Sequence, residues 1–142
     1  MSTNPNADVV IEAHGLTKTY GDFTAVAGID FAVRRGESFG LLGPNGAGKS
    51  TTMRMIASTL QRTSGDLKIL GLDPNDKGPE IRAHLGVVPQ QDNLDSELKV
   101  HENLMIYGRY FGLSRKYLKP KVEELLAFAQ LEEKRDNKTD QL

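Results

Sequence analysis

The chain has 142 residues, and its 38% apolar and 26% charged side chains fit one compact globular domain and exclude a globally disordered chain. Lys and Arg total 18 against 19 Asp and Glu, a net charge of −1, so there is no broad basic field for nucleic acid or anionic lipid and any anion site must be local. The lack of cysteine excludes disulfides, thiolate metal sites and cysteine nucleophiles, and fits a reducing compartment.

Residues 1–8 form a polar leading segment with Asn4, Asn6 and Asp8 and no basic stretch before an apolar run, so no secretory signal is expected. No run approaches the roughly 20 apolar residues that cross a bilayer. The sequence predicts a chain that stays in the cytoplasm and meets a membrane only through a partner. Val9 to His14 and Ala25 to Val33 mix β-branched and apolar residues beside the turn signals Gly21-Asp22 and Arg35-Gly36, and read as strands. Ser38 to Leu42, a short apolar run entering a glycine-rich turn, reads as a buried strand. Lys49 to Leu60 then places Met53, Ile56, Ala57 and Leu60 at helical spacing. Further along, a strand is expected at Asp66 to Leu70, a brief helix at Glu80 to Leu85 and a strand at Gly86 to Val88, followed by a polar loop. Val100, Leu104, Tyr107 and Phe111 share one face of a helix; Val122, Leu125, Leu126 and Ala129 share a face of a second, with Ser114 as its N-cap and Pro120 kinking or delaying it. Glu132 to Gln141 is almost wholly polar and reads as a loop.

The chemistry concentrates in Gly43-Pro44-Asn45-Gly46-Ala47-Gly48-Lys49-Ser50, which fits G-x-x-x-x-G-K-[ST] between an expected strand and an expected helix. Glycine allows successive backbone N–H groups to turn inward as an anion nest, and the start of the helix adds a partial positive charge. Triphosphate is the natural occupant: Lys49 reaches the β- and γ-phosphates, the Ser50 hydroxyl ligates Mg²⁺, and Thr51 offers a hydroxyl near the α-phosphate. A GTPase also carries this loop, and Asn137-Lys138-Thr139-Asp140 spells its guanine-reading N-K-x-D pattern. That pattern ends a buried strand in GTPases, whereas here it follows Glu132-Glu133-Lys134-Arg135-Asp136. No Asp in the chain is followed three residues later by the Gly of a GTPase switch.

Lys18-Thr19-Tyr20-Gly21-Asp22, Ala25-Val26, Leu41-Leu42-Gly43 through Ser50-Thr51-Thr52, and Gly86-Val87-Val88-Pro89-Gln90, in that order, resemble the ABC transporter ATPase family over nearly the whole chain from Val9. The resemblance implies an α/β fold: a P-loop NTPase core of ABC ATPase type, with N-terminal antiparallel strands and part of a helical subdomain. The expected division is a nucleotide-binding core over 9–98, a helical subdomain over 99–131 and a loop over 132–142. It also implies that Tyr20 stacks on adenine, that Val26 lies beside the ribose, and that Gly43, Pro44, Asn45, Gly46, Ala47, Gly48, Lys49, Ser50, Thr51 and Thr52 hold the phosphates of ATP. Lys49 and Gln90 are the implied catalytic residues, and Ser50 and Gln90 the implied Mg²⁺ donors. The implied partners are a membrane subunit and a second ATPase subunit paired head to tail, with no nucleic acid. The run from Val88 to Asp95, with Glu102-Asn103-Leu104 and Tyr107 to Gly112, is similar to the nodulation-factor and drug-resistance exporter ATPases.

Hydrolysis in this family uses an apolar strand ending in Asp-Glu, a switch histidine and a Leu-Ser-Gly-Gly-Gln signature, and the sequence contains none of these. Ile69-Leu70-Gly71-Leu72-Asp73 is the nearest mimic of the strand, but Pro74 stands in place of the Glu, so Asp73 reads as a turn residue. His14, His84 and His101 have no metal spacing and read as surface or packing residues. Asp140-Gln141-Leu142 resembles the approach to the signature, so the expectation is a chain cut before the signature and the Walker B strand, binding nucleotide weakly and without turnover. The alternative is a non-catalytic regulatory or interaction module derived from such an ATPase.

Overall fold

The computed structural model describes residues 8–89 and 94–141, so Gln90 through Asn93 and Leu142 lie outside the described residues. Contacts divide the chain into two units, Met1–Val87 and Val88–Leu142.

The first unit is built on a three-stranded antiparallel sheet in the order β2-β1-β3, with β1 at Val9–Tyr20, β2 at Phe23–Arg34 and β3 at Ser64–Ile69. The first two strands are longer than their apolar runs, because pairing from Val9↔Arg34 to Tyr20↔Phe23 carries polar residues into the hairpin. Helix α1, Lys49–Ile56, and helix α2, Pro74–Arg82, add to this sheet. Ala13, Leu16, Val26, Met55, Leu67, Ile69 and Ile81 form a single buried cluster drawn from all five elements.

Several sequence expectations change here. Helix α1 stops at Ile56, and its core face is set by Thr52, Met55 and Ile56, three and four residues apart; Met53 points outward at 53% exposure. Helix α2 starts well before Glu80, because the Asp73 side chain accepts the Asn75 backbone N–H at 3.0 Å and Pro74 occupies the first helical position. Asp73 is thus a cap, and Arg62 holds its carboxylate by two hydrogen bonds of 2.7 and 2.8 Å. Residues 38–42 and 86–88 are not strands. A central parallel strand exists only through neighbours on its edges, and no described residue pairs with either run; Leu42 is 97% exposed and Val88 96%. Phe39 keeps one packing contact, a stack on Phe31 of β2 with centroids 5.5 Å apart.

The second unit contains helix α3, Val100–Tyr110, and helix α4, Arg115–Ala129, around Val100, Val122 and Leu126. The Ser114 hydroxyl accepts the Tyr117 N–H at 3.3 Å, so α4 starts at Arg115, and it continues as one helix through Pro120. Buried Leu118 and Val122 flank the proline and hold the helix across the missing hydrogen bond. Phe111 and Leu125, expected on apolar faces, are 64% and 41% exposed. Residues 132–141 are not a plain loop: Glu132–Lys134 and Thr139–Gln141 form 3₁₀ turns. Val100 donates to Asn137 at 3.0 Å and Thr139 Oγ1 to the Asp95 carbonyl at 3.3 Å. Buried Asn103 ties the same region by exchanging hydrogen bonds of 2.9 Å with both backbone groups of Asp95.

Candidate phosphate-binding site

The loop from Gly43 ends on Gly48, which caps α1 in the left-handed conformation at φ 81°. A Cβ at Gly48 would collide with the Ala25 carbonyl oxygen and lie 3.0 Å from Val26 Cγ2, so only glycine lets the loop lie on β2. Gly46 is also left-handed, at φ 85°, but has open space around it. Ala47 N–H closes a turn onto the Pro44 carbonyl at 3.2 Å, and Asn45 is exposed. Lys49 reaches back over the loop, its Nζ donating to the carbonyls of Gly43 at 2.5 Å and Pro44 at 2.7 Å. An ammonium has three donors, so these two hydrogen bonds hold the charge at the loop with one N–H still to give.

Ser50 is exposed at the second position of α1, Thr51 is half-buried, and Thr52 is buried at 2% among the core-facing residues of the helix. The loop thus leaves Asn45 and Ser50 exposed and sends Thr52 to the packed side. Val26 is 4% exposed and belongs to the core cluster under Gly48. Its partner across the hairpin is Lys18, whose Nζ lies 5.1 Å from the Tyr20 ring centroid. Tyr20 itself is 45% exposed at the end of β1. The register therefore links the loop through Val26 and Lys18 to an open aromatic face. Lys18, beside the Tyr20 ring, and Ala25, whose carbonyl lies under Gly48, were not singled out from the sequence. The signal for Lys18 was its spacing, two residues before Tyr20 on one face of a strand.

The remaining polar candidates have structural partners. The Asp73 carboxyl is held well below the usual carboxylate range, first by the Arg62 hydrogen bonds and then by the Asn75 N–H, against the opposing effect of burial. His14 is raised by its hydrogen bond to Glu12, with Asp30 and Asp66 adding to the effect. His101 bonds the Arg135 carbonyl through Nδ1 at 3.0 Å. Among the described residues no group of three or more His, Asp or Glu side chains is arranged to hold a metal. The N-K-x-D segment is tied down elsewhere, with Lys138 Nζ on Glu97 at 2.9 Å. Gln90 lies outside the described residues.

A glycine nest with a reaching lysine at a helix start occurs in several phosphate-binding families, so the match along the whole chain decides among them. Residues 26–142 match the ABC transporter family. The chain belongs to that family. Among curated ABC relatives, the Nod factor export ATP-binding protein I of Ralstonia nicotianae is 47% identical over 127 residues, 89% of this chain and 40% of the relative. The protein of the same name from Neorhizobium galegae is 44% identical over 141 residues, 99% of this chain and 41% of the relative. The chain thus spans about two-fifths of the length of these curated relatives.

The fold agrees. The structure of cbiO1 from Clostridium perfringens, part of the ABC transporter complex cbiONQ, superposes with a TM-score of 0.82 at 27% identity, covering 95% of this chain and 56% of that one. A dimeric ATP-binding cassette in a post-hydrolysis state with ADP and Pi gives 0.78 at 28% identity, covering 93% and 62%. The α/β architecture with N-terminal antiparallel strands is that of part of an ABC ATPase domain.

Proposed function

We propose that this chain is the nucleotide-binding front portion of the ATPase subunit of an ABC exporter, holding Mg-ATP on Gly43 to Thr51. The observation that carries the reading is the cradle at Gly48: a left-handed glycine pressed on β2, with the Lys49 ammonium folded over the loop. The residues fit a triphosphate. Backbone N–H groups of the loop and the start of α1 receive the anion, Lys49 meets the β- and γ-phosphates, and Tyr20 stacks on the base with Lys18 beside it. Val26 acts from beneath, holding the loop rather than touching the sugar.

The donor set also fits Mg²⁺ carried largely by phosphate oxygen and water, since Ser50 presents one hydroxyl and, among the described residues, no carboxylate cluster competes for a hard cation. Ser50 and Gln90 are the protein donors in this reading, and the ion neutralises charge on the β- and γ-phosphates when bound. Gln90 orients the attacking water. Among the described residues none is assigned as a general base, so in this reading the chain binds nucleotide weakly and does not turn it over; hydrolysis belongs to a complete subunit.

The relatives named as Nod factor export proteins support export, and the dimeric cassette supports a second ATPase subunit; a membrane subunit and a place on the cytoplasmic face of the membrane complete the proposal. The test is phosphate release by the purified chain with Mg-ATP. The expected rate equals that of Lys49→Ala; ordinary transporter turnover abolished by Lys49→Ala would overturn the reading of an inactive portion.

A further inference from the structure

The turn joining α3 to α4 carries a pattern that neither packing nor the phosphate loop uses. Between residues 109 and 121 lie five basic residues, Arg109, Arg115, Lys116, Lys119 and Lys121, and no acidic one, in a chain whose net charge is −1. Interleaved with them, Tyr110, Phe111, Leu113 and Tyr117 are 79%, 64%, 39% and 56% exposed. Lys121 meets Glu124 at 2.6 Å, but among the described residues no ion pair involves Arg109, Arg115, Lys116 or Lys119.

The corner is well held. Gly112, at φ 74°, donates to the Arg109 carbonyl at 2.9 Å, and Leu113 donates to the Gly108 carbonyl at 3.2 Å. Leu118 packs so closely on Gly108 that a Cβ there would collide with it. Helix stability does not account for the charges, because Arg115 and Lys116 stand in the first turn of α4, where a helix favours anions, and no acidic residue is there. Core packing does not account for Tyr110, Phe111 or Tyr117, which are exposed. Cations with long apolar stems beside amphipathic rings are the chemistry of the headgroup layer.

We propose that residues 109–121 form a contact surface for an anionic bilayer, with headgroup phosphates meeting the basic side chains and Tyr110, Phe111, Leu113 and Tyr117 entering the headgroup boundary. A bilayer is favoured over a nucleic acid because the aromatic residues and Leu113 crowd one inter-helix turn instead of lining a track of stacking positions. The contact is peripheral, since no described helix is long and apolar enough to cross a membrane, and it departs from the sequence expectation that a membrane is met only through a partner. It lies wholly in the second unit and does not depend on the phosphate loop.

The test is flotation of the chain with vesicles of phosphatidylcholine alone or with about one-third phosphatidylglycerol. The chain is expected to float only with the anionic vesicles, and Arg115→Gln/Lys116→Gln/Lys119→Gln to bind them about 100-fold more weakly. Arg54→Gln/Lys77→Gln/Lys134→Gln removes equal charge elsewhere and is expected to bind like the parent. Phe111→Ser keeps every charge and is expected to weaken binding as well. Equal flotation with neutral vesicles, equal loss in the two triple variants, or displacement from vesicles by a single-stranded oligonucleotide would overturn the proposal.

Discussion

Replacing Gly48 by Ala tests whether the loop is held as described. The new methyl group faces two separate penalties. At φ 81° an L-residue is in the left-handed region, which costs about 1–2 kcal/mol. The methyl also collides with the Ala25 carbonyl, a backbone atom that cannot rotate away, and crowds Val26 Cγ2 at 3.0 Å; overpacking of this kind costs about 1–3 kcal/mol. Together they amount to about 2–5 kcal/mol, a large part of the roughly 5–15 kcal/mol that stabilises an ordinary domain. Gly46→Ala supplies the comparison, since Gly46 has nearly the same φ, 85°, and nothing within 4 Å of its added methyl. It should cost only the backbone part, about 1–2 kcal/mol. Urea unfolding followed by circular dichroism measures stability, and titration with a fluorescent ATP analogue measures the loop. If the Gly48 variant relieves the clash by lifting the loop from β2, the loss moves from stability to binding, so the two readouts are taken together. Equal values for the two variants in both assays would refute the contact between Gly48 and β2.

Tyr20→Ala should weaken ATP about 5- to 150-fold, the equivalent of losing about 1–3 kcal/mol of base stacking, while inorganic triphosphate binding stays unchanged; calorimetry with both ligands checks this. The Arg62–Asp73 pair predicts an acid-sensitive first unit. Because the folded Asp73 pKa is depressed, its stabilisation is complete above the unfolded value of about 3.9 and disappears as pH falls below it toward the folded value. Asp73→Asn should therefore cost about 1.5–3 kcal/mol at neutral pH and flatten the acid limb of a melting-temperature profile between about pH 4 and pH 2. An unchanged profile would show that the pair is not formed in solution.

What the sequence disclosed was local. The G-x-x-x-x-G-K-S pattern predicts a turn and a helix start within eight residues, and the chain has left-handed glycines at Gly46 and Gly48 with helix α1 beginning at Lys49. The strands β1 to β3 were legible from β-branched runs and turn residues. Residues 38–42 were misread because a buried strand is defined by partners elsewhere in the chain, and its apolar composition carries no record of whether they are present. Met53 and Met55 were exchanged for a similar reason: the apolar stripe alone does not say which side meets the sheet, and the short helix places Met55 there. Asp73 was read as a turn residue because its pairing with Arg62 joins positions eleven apart in sequence, a distance no short pattern records. The polar stretch 132–141 concealed its order because backbone and Asn103 hydrogen bonds, rather than apolar burial, hold it.

The central claim is that this loop binds the phosphates of a nucleotide through Lys49. Isothermal titration of the chain and of Lys49→Ala with Mg-ATP tests it most directly. Loss of charge-assisted hydrogen bonds predicts a roughly 10- to 150-fold weaker affinity in the variant. Identical affinity in the two proteins, or no heat of binding from the parent at millimolar Mg-ATP, would contradict the account.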